Sequence, residues 1–129
     1  MGIEDPGADE WKLRPDARRF EVGSVSPVPY AGLREGIATV EDVGLDAVTD
    51  RIERLTDRLK DGLDADRLVS GSGYESGLVA VDVEDPESTV ERLADRDIVV
   101  RDIPGTGTVR VSVHAFNDES DVDALLDAL

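Results

Sequence analysis

Cysteine is missing from the 129 residues. Disulfides, thiolate metal sites and a cysteine nucleophile are therefore excluded from this chain. Histidine occurs once, at His114, so a zinc site would have to draw nearly all its ligands from carboxylates. Aromatic residues make up 4%, which leaves the core to Val, Leu, Ile and Ala. No apolar run approaches the roughly 18 residues that a membrane span requires. The opening "MGIEDPGADEWK" has neither the basic nor the apolar region of a secretory signal. A cytoplasmic protein without membrane contact is expected.

Positive charge is the other scarcity. Fourteen basic residues face 30 acidic ones, a net charge of −16, and only Lys12 and Lys60 are lysine. Such a surface repels phosphate backbones and anionic lipid, so nucleic-acid partners are not expected. An Asp-rich, lysine-poor surface resembles proteins of salt-loving cytoplasms, where concentrated cations screen self-repulsion. Disorder is the rival explanation of acidity, and the hydrophobic periodicities oppose it.

Length allows one domain. Residues 1–16 are polar, with Gly2, Pro6, Gly7 and Pro15, and read as a flexible arm or truncation scar. Residues 17–29 hold a short strand-like piece and a Gly/Ser/Pro loop. From Tyr30 the spacing of Leu33, Ile37 and Val40 predicts a helix that Gly44 ends. Leu45, Val48, Ile52, Leu55 and Leu59 predict a second, closed near Gly62, with Asp50 paired to Arg54 on its outer side. "DRLVS", "GLVAVDV", "DIVVR" and "TVRVSV" read as strands. Asp85 and Pro86 suit the N-cap and first position of a third helix. Asn117 or Asp118 caps a last one carrying Val122, Leu125, Leu126 and Leu129. The short turn at 102–107 favours antiparallel pairing of the final two strands. The expected fold class is α+β: a small, mostly antiparallel sheet with helices packed on one face.

In "TGTVRVSVHAFND", residues 106–118, Val109, Val111 and Val113 alternate with Arg110, Ser112 and His114, the pattern of a strand with one buried face. That sets an arginine in mid-strand on the other face. A guanidinium directed at a cleft suits a carboxylate or phosphate, because its planar fork donates two parallel hydrogen bonds.

"RRFEVGS", "DIVVR" and "VRVSVHAFND…DVDALLDAL" together resemble, in order and spacing, the C-terminal part of class V aminotransferases. These are pyridoxal-phosphate (PLP) enzymes of fold type I, related to cysteine desulfurases. The resemblance implies that residues 30–129 are the C-terminal small domain and that 17–29 form an active-site and dimer loop. It implies that Arg110 clamps the substrate's α-carboxylate, holding an amino acid while the cofactor labilises a bond at its α-carbon. It places Gly23 and Ser24 at the cofactor phosphate of the neighbouring subunit of a homodimer. Here the sequence departs from the family, with serine for threonine and "VSP" for Pro-Asn. Arg101 falls where the family commonly has an arginine, and a structural role is expected of it. His114 alternates onto the Arg110 face if the strand is regular and is expected to pack or hydrogen-bond. Asn117 is expected to be a helix cap, and Glu21 to anchor a loop.

PLP chemistry also needs a lysine for the Schiff base, and neither lysine matches the family's Ser-x-His-Lys setting: Lys12 is too close to Phe20, and Lys60 lies on the outer part of a helix. The resemblance thus implies that the lysine-bearing large domain is missing, or is a separate subunit, and that this chain is inactive alone. Absence of a thiolate to accept sulfur removes the desulfurase branch, and "RDIPGTG" stands where desulfurases carry a longer, cysteine-bearing loop. An aminotransferase, lyase or epimerase parent is left. The alternative is a free-standing, non-enzymatic module that binds an amino acid or a protein.

The charge makes one direct prediction. As the Debye length falls from about 30 Å at 0.01 M salt to about 3 Å at 1 M, helical circular dichroism should rise with added KCl. A fold equally stable at both ends would count against the salt-adapted reading.

Overall fold

A computed structural model describes residues 12–20 and 26–129. The chain divides into two compact units, Met1–Thr39 and Val40–Leu129. Helix α1 (Val28–Val43) is followed by α2 (Leu45–Asp61), β1 (Leu78–Asp82), α3 (Pro86–Ala94), β2 (Arg101–Ile103), β3 (Thr108–Ser112) and α4 (Glu119–Ala128). Gly44 separates α1 from α2 at φ 91°, a left-handed conformation that glycine adopts without steric cost.

The sheet has the order β1-β3-β2 and is antiparallel throughout. The alternation of the strands builds its core. Val79 and Val81 of β1 lie opposite Val111 and Val109 of β3, and all four are buried. Leu55 and Leu59 of α2, Leu93 of α3, and Val122, Leu125 and Ala128 of α4 complete the cluster. Full burial of one such leucine contributes about 1.5–3 kcal/mol. Gly77 sits where an added Cβ would lie 2.4 Å from the Val113 carbonyl oxygen, so only glycine lets β1 enter the sheet here. The result is the expected α+β class, with a three-stranded sheet.

Several elements differ from the sequence reading. "DRLVS" forms no strand. Leu68 makes an isolated bridge to Val81, while Asp82 N–H donates to Arg67 O (2.8 Å) and Val69 N–H to Ala80 O (3.0 Å). With so few bonds, the segment follows β1 without becoming regular. Ala17–Phe20 is a 3₁₀ turn, not a strand. "DIVVR" becomes strand only at Arg101, since Asp97 takes φ 61° and the chain must turn first. Of the two candidate caps for the last helix, Asp118 fills the position. Its carboxylate accepts from the Ser120 and Asp121 N–H groups, and Asp121 reciprocates to the Asp118 N–H. Asn117 instead ties the approach, accepting from His114 N–H and donating to Asp121.

Arginines of α2 hold α4 in place. Arg51 donates to the Ala115 and Asn117 carbonyls at 2.8 and 2.7 Å. Arg58 makes a two-pronged contact with Asp123, both bonds 2.8 Å. Arg54 pairs with Glu119 at 3.4 Å, in place of the expected Asp50. Among the described residues no helix is long and apolar enough to cross a membrane.

These contacts set an acid limit to stability. The Ser120 hydroxyl and the Asp121 N–H hold the Asp118 carboxyl below its ordinary value, and Arg58 does the same for Asp123. Both groups bind protons less readily folded than unfolded, so their contribution is complete above the unfolded value near 4 and is lost as pH falls through the depressed ones. Thermal melts in molar KCl, which screens the general repulsion, should show Tm falling below about pH 4. Asp118→Asn keeps a capping oxygen and should flatten that acid limb. An unchanged acid limb would remove Asp118 as its source.

Candidate functional site

Because Val109 and Val111 point into the core, Arg110 must leave β3 from the opposite face. No helix of the Val40–Leu129 unit packs there: α2, α3 and α4 all supply side chains to the valine face. β3 is the central strand, so Arg110 has a neighbour on each side, Ala80 of β1 and Arg101 of β2. The small Ala80 side chain leaves space on one flank. Arg101 brings a second guanidinium to the other, and it is exposed.

Arg110 is half-buried, and its Nε is shielded from solvent without a hydrogen-bond partner. An unmet buried donor costs about 1–3 kcal/mol. No ion pair or hydrogen bond joins its guanidinium to another described residue, although the chain holds 30 acidic side chains. The α2 arginines show what a satisfied guanidinium looks like here, Arg58 above all. Arg110 has the donors, the partial burial and the open face that a carboxylate ligand would use.

Other expected site residues fall differently. Gly23, Ser24 and Glu21 lie outside the described residues. His114 lies beyond β3, which ends at Ser112, and is exposed. Its ring stacks on that of Phe116 at a centroid distance of 4.6 Å. Lys60 is a correction: it is buried, not on the outer side of α2. Its ammonium donates to the Gly71 and Gly73 carbonyls, each at 2.6 Å, and so fixes the "GSGYES" loop beside β1. The signal in sequence was faint. Lys60 stands four residues after Thr56 and next to Leu59, both buried, and only that spacing marks its face of the helix. Lys60 therefore does not fit a Schiff-base role for PLP, since its amine is already engaged and enclosed.

The sequence profile of the aminotransferase class-V family matches residues 2–125. The chain belongs to that family. It is 27% identical to the probable cysteine desulfurase of Pyrococcus abyssi (strain GE5 / Orsay), over 98% of this chain and 36% of that protein. The apo structure of the cysteine desulfurase from Thermococcus onnurineus NA1 superposes with a TM-score of 0.71 at 28% identity, covering 98% of this chain and 37% of that one. The cystine C–S lyase C-DES, in complex with its product cysteine persulfide, gives a TM-score of 0.74 at 26% identity, over 85% of this chain and 31% of the lyase. A variant of the same lyase carries glycine covalently linked to its PLP cofactor. The chain thus spans about a third of the length of these relatives.

The buried Lys60 amine predicts its own reactivity. Incubation with PLP followed by borohydride should leave Lys60 unmodified in the folded chain and label it only after denaturation, as read by peptide mass spectrometry. Stoichiometric labelling of Lys60 in the native chain would reverse that assignment.

Proposed function

We propose that this chain is the C-terminal part of a PLP-dependent class V aminotransferase-like enzyme and that Arg110 holds the carboxylate of its amino-acid substrate. The observation that carries the reading is Arg110 itself, a half-buried arginine with an unpaired Nε on the face of the sheet opposite the core of α2, α3 and α4. The lysine and most of the cofactor site belong to the part of the fold that this chain does not cover. When bound there, PLP supplies the electron sink for cleavage of a bond at the substrate's α-carbon. Arg110 orients that carbon by fixing the carboxylate. Gly23 and Ser24 take the phosphate of the neighbouring subunit's cofactor in a homodimer, a role supported by the "RFEVGS" pattern. The net charge of −16 with two lysines suits an enzyme working in concentrated salt.

The absence of cysteine from this chain supports a reaction other than desulfuration. A desulfurase must place sulfur on a thiolate, and this chain supplies none; between β2 and β3 it has only the tight turn at 104–107. Transamination, or elimination of the kind named for the C–S lyase relative, asks of this chain only a carboxylate clamp.

The test is Arg110→Lys in the enzyme completed by its lysine-bearing part. Lysine keeps the charge but cannot reproduce the fork. Loss of a charge-assisted pair should lower kcat/KM about ten- to a hundredfold, or about 1.5–3 kcal/mol, with folding stability almost unchanged. Unaltered kinetics with a marked loss of stability would make Arg110 a structural residue.

A further inference from the structure

Arg101 lies directly opposite Arg110 across the β2–β3 ladder, and residues paired in this way share a face of the sheet. The burial of its neighbours agrees. Val100 is 8% exposed and belongs to the core, while Val99 is 89% exposed; alternation then sets Arg101 with Val99 on the face opposite the core. Among the described residues no carboxylate pairs with Arg101, and the four ion pairs present belong to Arg18, Arg34, Arg54 and Arg58.

Like charges set directly across a sheet oppose its formation. This chain carries 30 acidic residues against 14 basic ones, so an acid beside either arginine would be the ordinary outcome. Asp82 comes nearest to it on the same face of the sheet. It sits diagonal to Arg110, since Ala80 pairs with Arg110 and Asp82 with Thr108, yet it forms no ion pair with either arginine. Asp102 alternates to the other face. The Nε of Arg110 is enclosed and without a partner. A local repulsion kept without a compensating contact is the mark of a functional position.

We propose that Arg101 determines specificity by taking the side-chain acid of a dicarboxylic amino acid whose α-carboxylate is held by Arg110. The proposal rests on the reading of Arg110 as the carboxylate clamp and adds the substrate class. Paired residues begin about 4.5–5.5 Å apart at Cβ, a span that one flexible dicarboxylic molecule bridges with an acid at each guanidinium. A monocarboxylate satisfies one fork and leaves the second positive charge unmatched. Two carboxylates answer both, and they turn the repulsion between the arginines into a selective contact. Ala80 on the other flank of Arg110 offers no charge, so the second acid is directed to the Arg101 side.

The test uses the full chain alone and reads the arginine Nε–Hε resonances during titration at constant ionic strength. Succinate is the two-acid probe, propionate its one-acid counterpart, and inorganic phosphate the control for a simple anion. Succinate should shift both Arg101 and Arg110 and bind about tenfold or more tighter than propionate. Arg101→Gln should bring succinate down to the level of propionate and leave propionate binding unchanged, with thermal melts confirming that the variant folds. Equal binding of succinate and propionate at Arg110 would overturn this proposal while leaving the clamp in place. Absence of any response at Arg110 would overturn the clamp and the proposal with it. Phosphate binding more tightly than succinate, or a preference for succinate that survives Arg101→Gln, would also overturn the assignment of Arg101.

Discussion

The period of two along β3 is the constraint from which the site follows. Val109 and Val111 are committed to the core by the helices that cover them, and a strand then has only one direction left for the residue between. Arg110 is presented on the open face by the same packing that stabilises the domain. A one-residue slip in register would bury a guanidinium under the helices and expose two valines, so folding and presentation of the arginine cannot be separated. β3's central place adds a second effect, since side chains from both neighbouring strands define the surroundings of Arg110.

The arginines divide by what they meet. Those of α2 reach α4 or the turn before it, through Asp123, Glu119 and two backbone carbonyls. They bind sequence-distant elements together in a protein whose surplus of carboxylates works against compaction. The exposed pairs of Arg54 and Arg58 each add little alone, but Arg51 fixes the entry to α4 by direct bonds to backbone. Arg110 and Arg101 have no such duties among the described residues. They sit directly across from each other on β3 and β2, two guanidinium groups in one row of the sheet.

Much of this was legible from local signals. Helix α2 announces itself through Leu55 and Leu59, α3 through Asp85 and Pro86, and β3 through its valines, because each depends on periodicity or capping within a few residues. The side of β3 on which Arg110 lies was legible for the same reason. What was not legible depends on distant parts of the chain. The fate of "DRLVS" was decided by how few bonds the β1 edge offers it, and that of Lys60 by two glycine carbonyls eleven and thirteen residues on. The choice between Asn117 and Asp118 turned on one residue of chain path, and the stacking of His114 on Phe116 is a contact outside any regular strand. The lack of cysteine was legible from composition alone.

The strand order carries a consequence for how the domain is assembled. β1 and β2 are consecutive strands in sequence but never touch, because β3 is inserted between them. During synthesis β1 therefore waits through α3 and β2 for its partner strand, and the β1–β3 ladder forms only when residues near 110 become available. The β2–β3 hairpin is local and closes quickly. Joining it to β1 requires a loop of roughly twenty-five residues to be drawn in, at an entropic cost that rises only slowly with length. The β1–β3 pairing is thus the non-local one in the sheet, and the close approach of Gly77 to the Val113 carbonyl marks the seam where β1 meets the hairpin.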